Sequence, residues 1–251
     1  MLELLLFLIL GLIVGLMGAL LGIGGGLVIV PAFLLYFHFT PQQTVGSSTV
    51  VVLFNAISGS AAYLVKHLVV VKAALLFGLA TVPGAFLGSY AAEYFTGTGF
   101  RLCFGVFLLV LGCYMFYKTY AKGSQPLDAQ MPEHYNLWLG VACSVIVGFF
   151  ASALGIGGGI IHVPFMIYVL HFPVHRAIAT STCILAISSL AGVLSHAYLL
   201  HILWQPALCV GIGAVAGAQL GVRLAAKSQS QHLLRAVAAL VIIMGIKFVS
   251  A

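Results

Sequence analysis

Long apolar stretches without charge organise this chain. Leu4–Val65, Ala177–Val222 and His134–His175 each run uninterrupted by Asp, Glu, Lys or Arg. A helix needs about 20 apolar residues to cross the hydrocarbon layer, so each run holds more than one crossing. Apolar segments fall at about 4–21, 27–39, 46–65, 73–95 and 100–117, then at about 136–154, 160–172, 179–200, 204–226 and 232–250. The runs are continuous and rich in Leu, Ala and Gly, which predicts helices rather than the alternating strands of a membrane barrel. The expected class is an all-α polytopic membrane protein. Its first stretch carries Glu3 where a signal peptide has basic residues, and its apolar part is too long, so it reads as a retained first helix.

The chain can be laid on itself in a single register. Gly22-Ile23-Gly24-Gly25-Gly26 falls on Gly155-Ile156-Gly157-Gly158-Gly159, Pro31 on Pro164, His38-Phe39 on His171-Phe172, and Ser48-Thr49 on Ser181-Thr182. Gly59, Gly78, Gly84, Gly88 and Gly112 land on Gly192, Gly211, Gly217, Gly221 and Gly245. Internal repeats of this kind are common in transporter folds. The expected organisation is a first transmembrane repeat (1–117), a polar linker in the cytoplasm (118–133) and a second repeat (134–251). Each second segment has about 13 residues, roughly 20 Å of helix, too short for a full crossing. Segments one and two are therefore expected to form a broken or re-entrant pair around the glycines, followed by three transmembrane helices.

Composition adds that only 14 of 251 residues are charged, ten of them Lys or Arg, which excludes a soluble globule. The basic residues follow segments three and five in the first copy (Lys66, Lys72, Lys118, Lys122). In the second they follow segments two and four (Arg176, Arg223, Lys227, Arg235). If segments one and two return to their starting side, all of these share one face. The positive-inside rule then predicts inverted copies with both termini outside, Arg101 and Lys247 being the exceptions. Five scattered cysteines with no C-x-x-C pair suggest neither disulfides nor a zinc site and read as small core residues.

Two features could carry chemistry. The paired G-I-G-G-G runs either line a substrate site, their N–H groups forming an anion cradle before a new helix, or simply let helices approach closely. The hydroxyl clusters Gly46-Ser47-Ser48-Thr49 and Ala179-Thr180-Ser181-Thr182 either cap helices or begin polar stripes. Ser48, Asn55, Ser58 and Gly59 share one helical face, as do Ser181, Ser188, Gly192 and Ser195, and in inverted copies the stripes would cross near Asn55 and Ser188. The candidate substrate-binding set is thus Gly22, Gly24, Gly25, Gly26, Ser47, Ser48, Thr49 and Asn55, with Gly155, Gly157, Gly158, Gly159, His162, Thr180, Ser181, Thr182 and Ser188. His162 and His196 are placed for substrate or proton handling, or are satisfied core residues. His38, His171, His175 and His201 read as interfacial, and His67, His134 and His232 as loop residues. Gly84-x-x-x-Gly88 and Gly213-x-x-x-Gly217-x-x-x-Gly221 fit tight helix packing.

The acids Glu3, Glu93, Asp128 and Glu133 lie at segment ends or in the linker, leaving no intramembrane carboxylate pair for a proton or sodium relay. Uncharged donors suit an anion better than a cation. No catalytic motif, cofactor or metal ligand set is visible, so no enzyme is expected. The expected partners are a small anion and the lipid bilayer, not nucleic acid. The alternatives are a lipid-acting intramembrane enzyme and a non-transporting scaffold.

The two G-I-G-G-G-x-x-x-x-P elements, the two hydroxyl clusters and Gly217-x-x-x-Gly221-x-Arg223-Leu224-Ala225 resemble the sulfite exporter TauE/SafE family over nearly the whole chain. The resemblance implies a transporter of sulfite, sulfonates or related organosulfur anions in a bacterial inner membrane. His162 is a departure between the copies, since the first has Ile29 there. Export of an anion from a negative interior gains roughly 2.3 kcal/mol per charge per 100 mV and needs no coupling ion.

Overall fold

The computed structural model describes residues 2–121, 131–132, 135–228 and 230–250, and among these the chain forms helices and no strand. The first copy folds as α1 (Leu2–Leu21), α2 (Gly26–Pro31, continued by a π-helical turn at Ala32–Tyr36), α3 (Pro41–Val65), α4 (Val71–Ala92) and α5 (Gly97–Ala121). The second folds as α6 (Leu137–Leu154), α7 (Gly159–Tyr168), α8 (Val174–Tyr198), α9 (Trp204–Ala225) and α10 (Ser230–Ser250). The register that lays Gly22 on Gly155 carries α3 onto α8 and α4 onto α9 at both ends. Seven helices among the described residues (α1, α3, α4, α5, α6, α8, α9) are long and apolar enough to cross a membrane. The protein is a multi-pass membrane protein. Most of the linker, residues 122–130 and 133, lies outside the described residues, with Lys122, Asp128 and Glu133 in it, as does His134 at the start of the second repeat; Lys118 begins the last turn of α5.

The first and second segments do not cross in sequence. α1 ends at a glycine turn and α2 folds back along it, so that the Phe37 ring lies 4.9 Å from Phe7, near the start of α1. The glycines permit this reversal because Gly22, Gly24 and Gly25 have φ of 71°, 75° and 82°, and Gly155, Gly157 and Gly158 have φ of 68°, 74° and 81°. Such left-handed backbone is strained for any residue with a Cβ.

Heavy packing runs between the copies: α1 lies on α9 and α4 on α6. A Cβ on Gly213, Gly217 or Gly221 would stand 2.2, 2.1 or 2.4 Å from the carbonyl oxygen of Leu8, Leu12 or Leu16. Both numberings ascend together, so α1 and α9 run parallel. Gly84 and Gly88 meet the Val145 and Phe149 carbonyls of α6 at 2.0 and 2.1 Å in the same way. The small-residue motifs therefore bring backbones into contact, the geometry that gains dispersion where lipid offers no hydrophobic drive. α5 and α10 pair antiparallel at the periphery, with Phe104 against Phe248 and Gly112 against Ile242.

Two sequence expectations change. Hydroxyl capping is moved upstream: α3 starts at Pro41, well ahead of Gly46, in a capping box between Thr40 and Gln43, and α8 starts after Pro173. The clusters at Ser47–Thr49 and Thr180–Thr182 therefore sit inside their helices. Cys103 and Cys113 are exposed rather than core, because α5 is peripheral and turns that face outward; Cys183 is buried.

Candidate functional site

The two glycine loops meet at the middle of the molecule. A Cβ on Gly26 would stand 2.4 Å from Ile156 Cα, and one on Gly159 would stand 2.2 Å from the Gly22 carbonyl oxygen. Val52 of α3 and Leu185 of α8, equivalent by the repeat, close over both loops: Gly24 and Gly157 each face this pair. α3 and α8 also cross in opposite senses, since Gly59 meets Thr182 while Gly192 meets Thr49.

Each cluster hydroxyl makes a bond that its counterpart repeats. Ser48 Oγ lies 2.9 Å from the Gly155 carbonyl oxygen, and Ser181 Oγ donates to the Gly22 carbonyl at 3.1 Å. Ser47 Oγ accepts from the Leu203 N–H at 2.9 Å, and Thr180 Oγ1 from the Val70 N–H at 3.0 Å. Thr49 and Thr182 donate to the carbonyls of Val45 and Ile178, one turn back, at 2.8 Å. Ser47, Ser48, Thr180 and Ser181 thus clamp one copy to the other, and Ser48 and Ser181 hold the glycine loops, while Thr49 and Thr182 bond within their own helices.

The polar groups left over are few and differ between copies. Asn55 has no exposed surface, and neither its Nδ2 nor its Oδ1 has a hydrogen-bond partner. It points at the first glycine loop: the site of a Gly18 Cβ lies 2.3 Å from Asn55 Nδ2 and 2.5 Å from the Gly25 backbone N. A buried amide with nothing to bond costs about 1–3 kcal/mol, so its presence needs a reason. Its counterpart Ser188 is also buried but is smaller and carries one oxygen.

His162 is the second such group. Ser144 Oγ donates to the Gly140 carbonyl at 2.7 Å, so at 3.2 Å it accepts from His162 Nε2–H. That assigns the Nε2–H tautomer and leaves Nδ1 as a buried lone pair without a partner. The first copy has Gly11 and Ile29 at these two places.

Sequence reasoning missed the partner of His196. His201, read as interfacial, is only 9% exposed and its Nδ1 lies 3.1 Å from His196 Nδ1. The repeat could have signalled this, because the equivalent positions in the first copy are Leu68 and Tyr63, both core types. Burial lowers the His201 imidazole from its ordinary range, while the Glu93 carboxylate draws it back up.

The two ends of the bundle differ in charge. One carries a cleft of about 440 Å³ lined by Lys66, Leu68, Pro173, Val174, His175, Arg176 and Ala226. The other carries a cleft of about 390 Å³ lined by Glu3, Phe7, Phe39 and the segment Ile202–Pro206. Gln42 binds the Glu93 carbonyl at this second end, at 3.2 Å. No group of three or more metal-binding side chains occurs among the described residues.

Comparison with known proteins agrees with this architecture. The chain matches the family described as sulfite exporter TauE/SafE over residues 7–248. It is 31% identical to the probable membrane transporter protein YunE of Bacillus subtilis, over 99% of this chain and 98% of that one. A probable membrane transporter protein of Xylella fastidiosa is 31% identical over 89% of this chain and 85% of its own. One of Methanocaldococcus jannaschii is 28% identical over 98% of this chain and 95% of its own. No solved structure matches.

Proposed function

The chain belongs to the sulfite exporter TauE/SafE family of membrane transporters, and from that premise we propose that it moves small sulfur-containing anions outward. Sulfite, sulfonates and related organosulfur anions are the substrate class, and a bacterial inner membrane is the setting. The reading takes the two copies as inverted, moving against each other in alternating access. Support comes from the re-entrant α1–α2 pair, the opposed crossing of α3 and α8, and the gathering of Lys66 and Arg176 at one end. With that basic end in the cytoplasm, Glu3 and both chain termini face outward.

The observation that carries the proposal is Asn55: a fully buried amide, unpartnered on both atoms, aimed at a glycine loop whose N–H groups open a new helix. Amide Nδ2–H and backbone N–H groups are donors suited to oxyanions. In the conformation described here Val52 and Leu185 close the centre, so access requires the loops to part. Gly22–Gly26 and Gly155–Gly159 would then line the path, with Ser188 opposite Asn55. In this state the hydroxyls of Ser48 and Ser181 bond to the glycine loops, those of Ser47 and Thr180 to the turns before α9 and α4, and those of Thr49 and Thr182 to their own helices, so each is already engaged.

The experiment is efflux from reconstituted vesicles screened over sulfite, thiosulfate, sulfonates and small carboxylates. Saturable flux of the sulfur anions is expected, and Asn55→Leu should abolish it in folded protein. Flux of carboxylates alone would replace the substrate class, and no flux of any anion would reject transport.

A further inference from the structure

The second copy contains a directional pair of imidazoles that the first lacks. His196 Nε2 faces the Ser152 carbonyl at 3.0 Å, and a carbonyl only accepts, so Nε2 carries the proton. In the neutral ring Nδ1 is then an acceptor. His201 Nδ1, 3.1 Å away, must be the donor, which leaves His201 Nε2 as the atom that takes another proton. The geometry is fixed locally: α8 ends with Leu200 in left-handed backbone, φ 59°, and the His201 N–H returns to the His196 carbonyl at 3.0 Å, folding the outer ring over the inner one. His201 keeps 9% of its surface open and His196 none, so protons reach the pair through His201.

Around the pair, α4 contributes the Glu93 carboxylate, which acts electrostatically on His201, and α1 contributes Glu3 to the cleft beside Ile202 and Leu203. α3 presents Gly46 and Ser47 and α6 presents Ser152, whose hydroxyl lies 3.4 Å from His196 Nε2. Ser152 stands just before the glycine loop at Gly155, which connects the pair to the middle of the molecule.

We propose that His201 and His196 form a proton relay leading from the end that carries Glu3 and Glu93, with Arg101 and Lys247, toward the glycine loops, and that its protonation promotes anion passage. The proposal rests on the transporter reading above. His201 Nε2 accepts a proton from outside. The proton on His201 Nδ1 passes to His196 Nδ1, leaving His201 neutral and His196 a cation with both nitrogens protonated. That charge sits near the anion path and offsets the anion's own.

A purely structural role has a counterpart in the other copy. Tyr63 donates to the Ala19 carbonyl at 2.8 Å, the same bond as His196 to Ser152 under the repeat. Leu68 stands where His201 does. These residues supply substitutions that the fold already accommodates. The experiment is sulfite flux in proteoliposomes at external pH from 8 to 5.5. The parent protein should speed up about tenfold as pH falls below the ordinary histidine range of about 6.5. His201→Leu, His201→Gln (which can donate to His196 Nδ1 but not titrate) and His196→Tyr should each change by less than about twofold over the same range. Variant profiles that follow the parent overturn the relay.

A second measurement is independent of flux. In ¹⁵N-histidine spectra of the protein in lipid discs, the two rings should titrate as a coupled pair in two steps, and His201→Leu should remove one and shift the other. Two independent titrations overturn the relay even where sulfite moves. Coupled titration without any anion flux would keep the proton site while the transport reading fails.

Discussion

The two copies repeat the bonds that join the glycine loops and the helix backbones, and they differ at the buried polar groups around the centre. Ser48 and Ser181 hold opposite glycine loops, Ser47 and Thr180 cap opposite turns, and Gly84 and Gly217 bring opposite helix pairs together. Against this, Asn55 faces Ser188 in the alignment, Ile29 faces His162, Tyr63 faces His196 and Leu68 faces His201. Interlocking surfaces tolerate little, because a change on one side must be matched on the other at full packing density. Away from these surfaces the copies diverge: a buried amide stands in the first and buried imidazoles in the second.

The largest test of this contrast is Gly84→Val beside Gly217→Val. Each adds a Cβ 2.0–2.1 Å from a backbone oxygen, a clash costing about 3 kcal/mol or more. Folded, monodisperse protein should be lost in both by size-exclusion, while Gly97→Val, with nothing within 4 Å, should behave as the parent. Loss in one half only would break the equivalence.

Next in size is Asn55→Ser, which gives the first copy the residue of the second. Sulfite flux should fall at least about tenfold, roughly 1.4 kcal/mol of lost stabilisation. The melting temperature should hold or rise, since an unsatisfied buried amide is removed. Ser188→Ala should cost less flux, and the reverse order would move the site to the second copy.

Ser48→Ala and Ser181→Ala should each cost about 1 kcal/mol, seen as melting shifts of about 2–4 °C that match each other. The smallest effect is expected of His162→Ile, which restores the first-copy residue. Ser144 keeps its bond to the Gly140 carbonyl, so stability should change by less than about 1 kcal/mol and neutral-pH flux by less than about twofold. A large flux loss would make His162 part of the anion path.

Much of this was readable in the chain because membrane helices announce themselves by length and because duplication doubles every motif. The register of the repeat, the glycine breaks and the packing role of Gly213-x-x-x-Gly217-x-x-x-Gly221 needed only the sequence. The roles of the hydroxyl clusters did not follow from it. Ser48 and Gly155 are 107 positions apart, and a hydroxyl that clamps a distant carbonyl has the same local pattern as one that caps a helix or meets a ligand. Cys103 and Cys113 misled for a related reason: in lipid, apolar character does not separate the inner face of a helix from the outer. His201 was hidden by lying just past a helix end, where histidines are ordinarily exposed, and only the turn at Leu200 folds it inward.

The crossed packing of α1 on α9 and α4 on α6 also has a consequence for how the protein is made. α1 ends at Leu21, and the helix whose backbone it must touch begins at Trp204. At synthesis rates of about 5–20 residues per second, α1 waits on the order of 10 s or more in the bilayer before its partner exists. During that time Gly11 and Gly15, which end against Val210 and Ala214, face lipid or whatever insertion factor holds the helix. The first copy therefore cannot finish folding when its own last helix emerges. Quality control must judge the chain as a whole, after α9 has arrived.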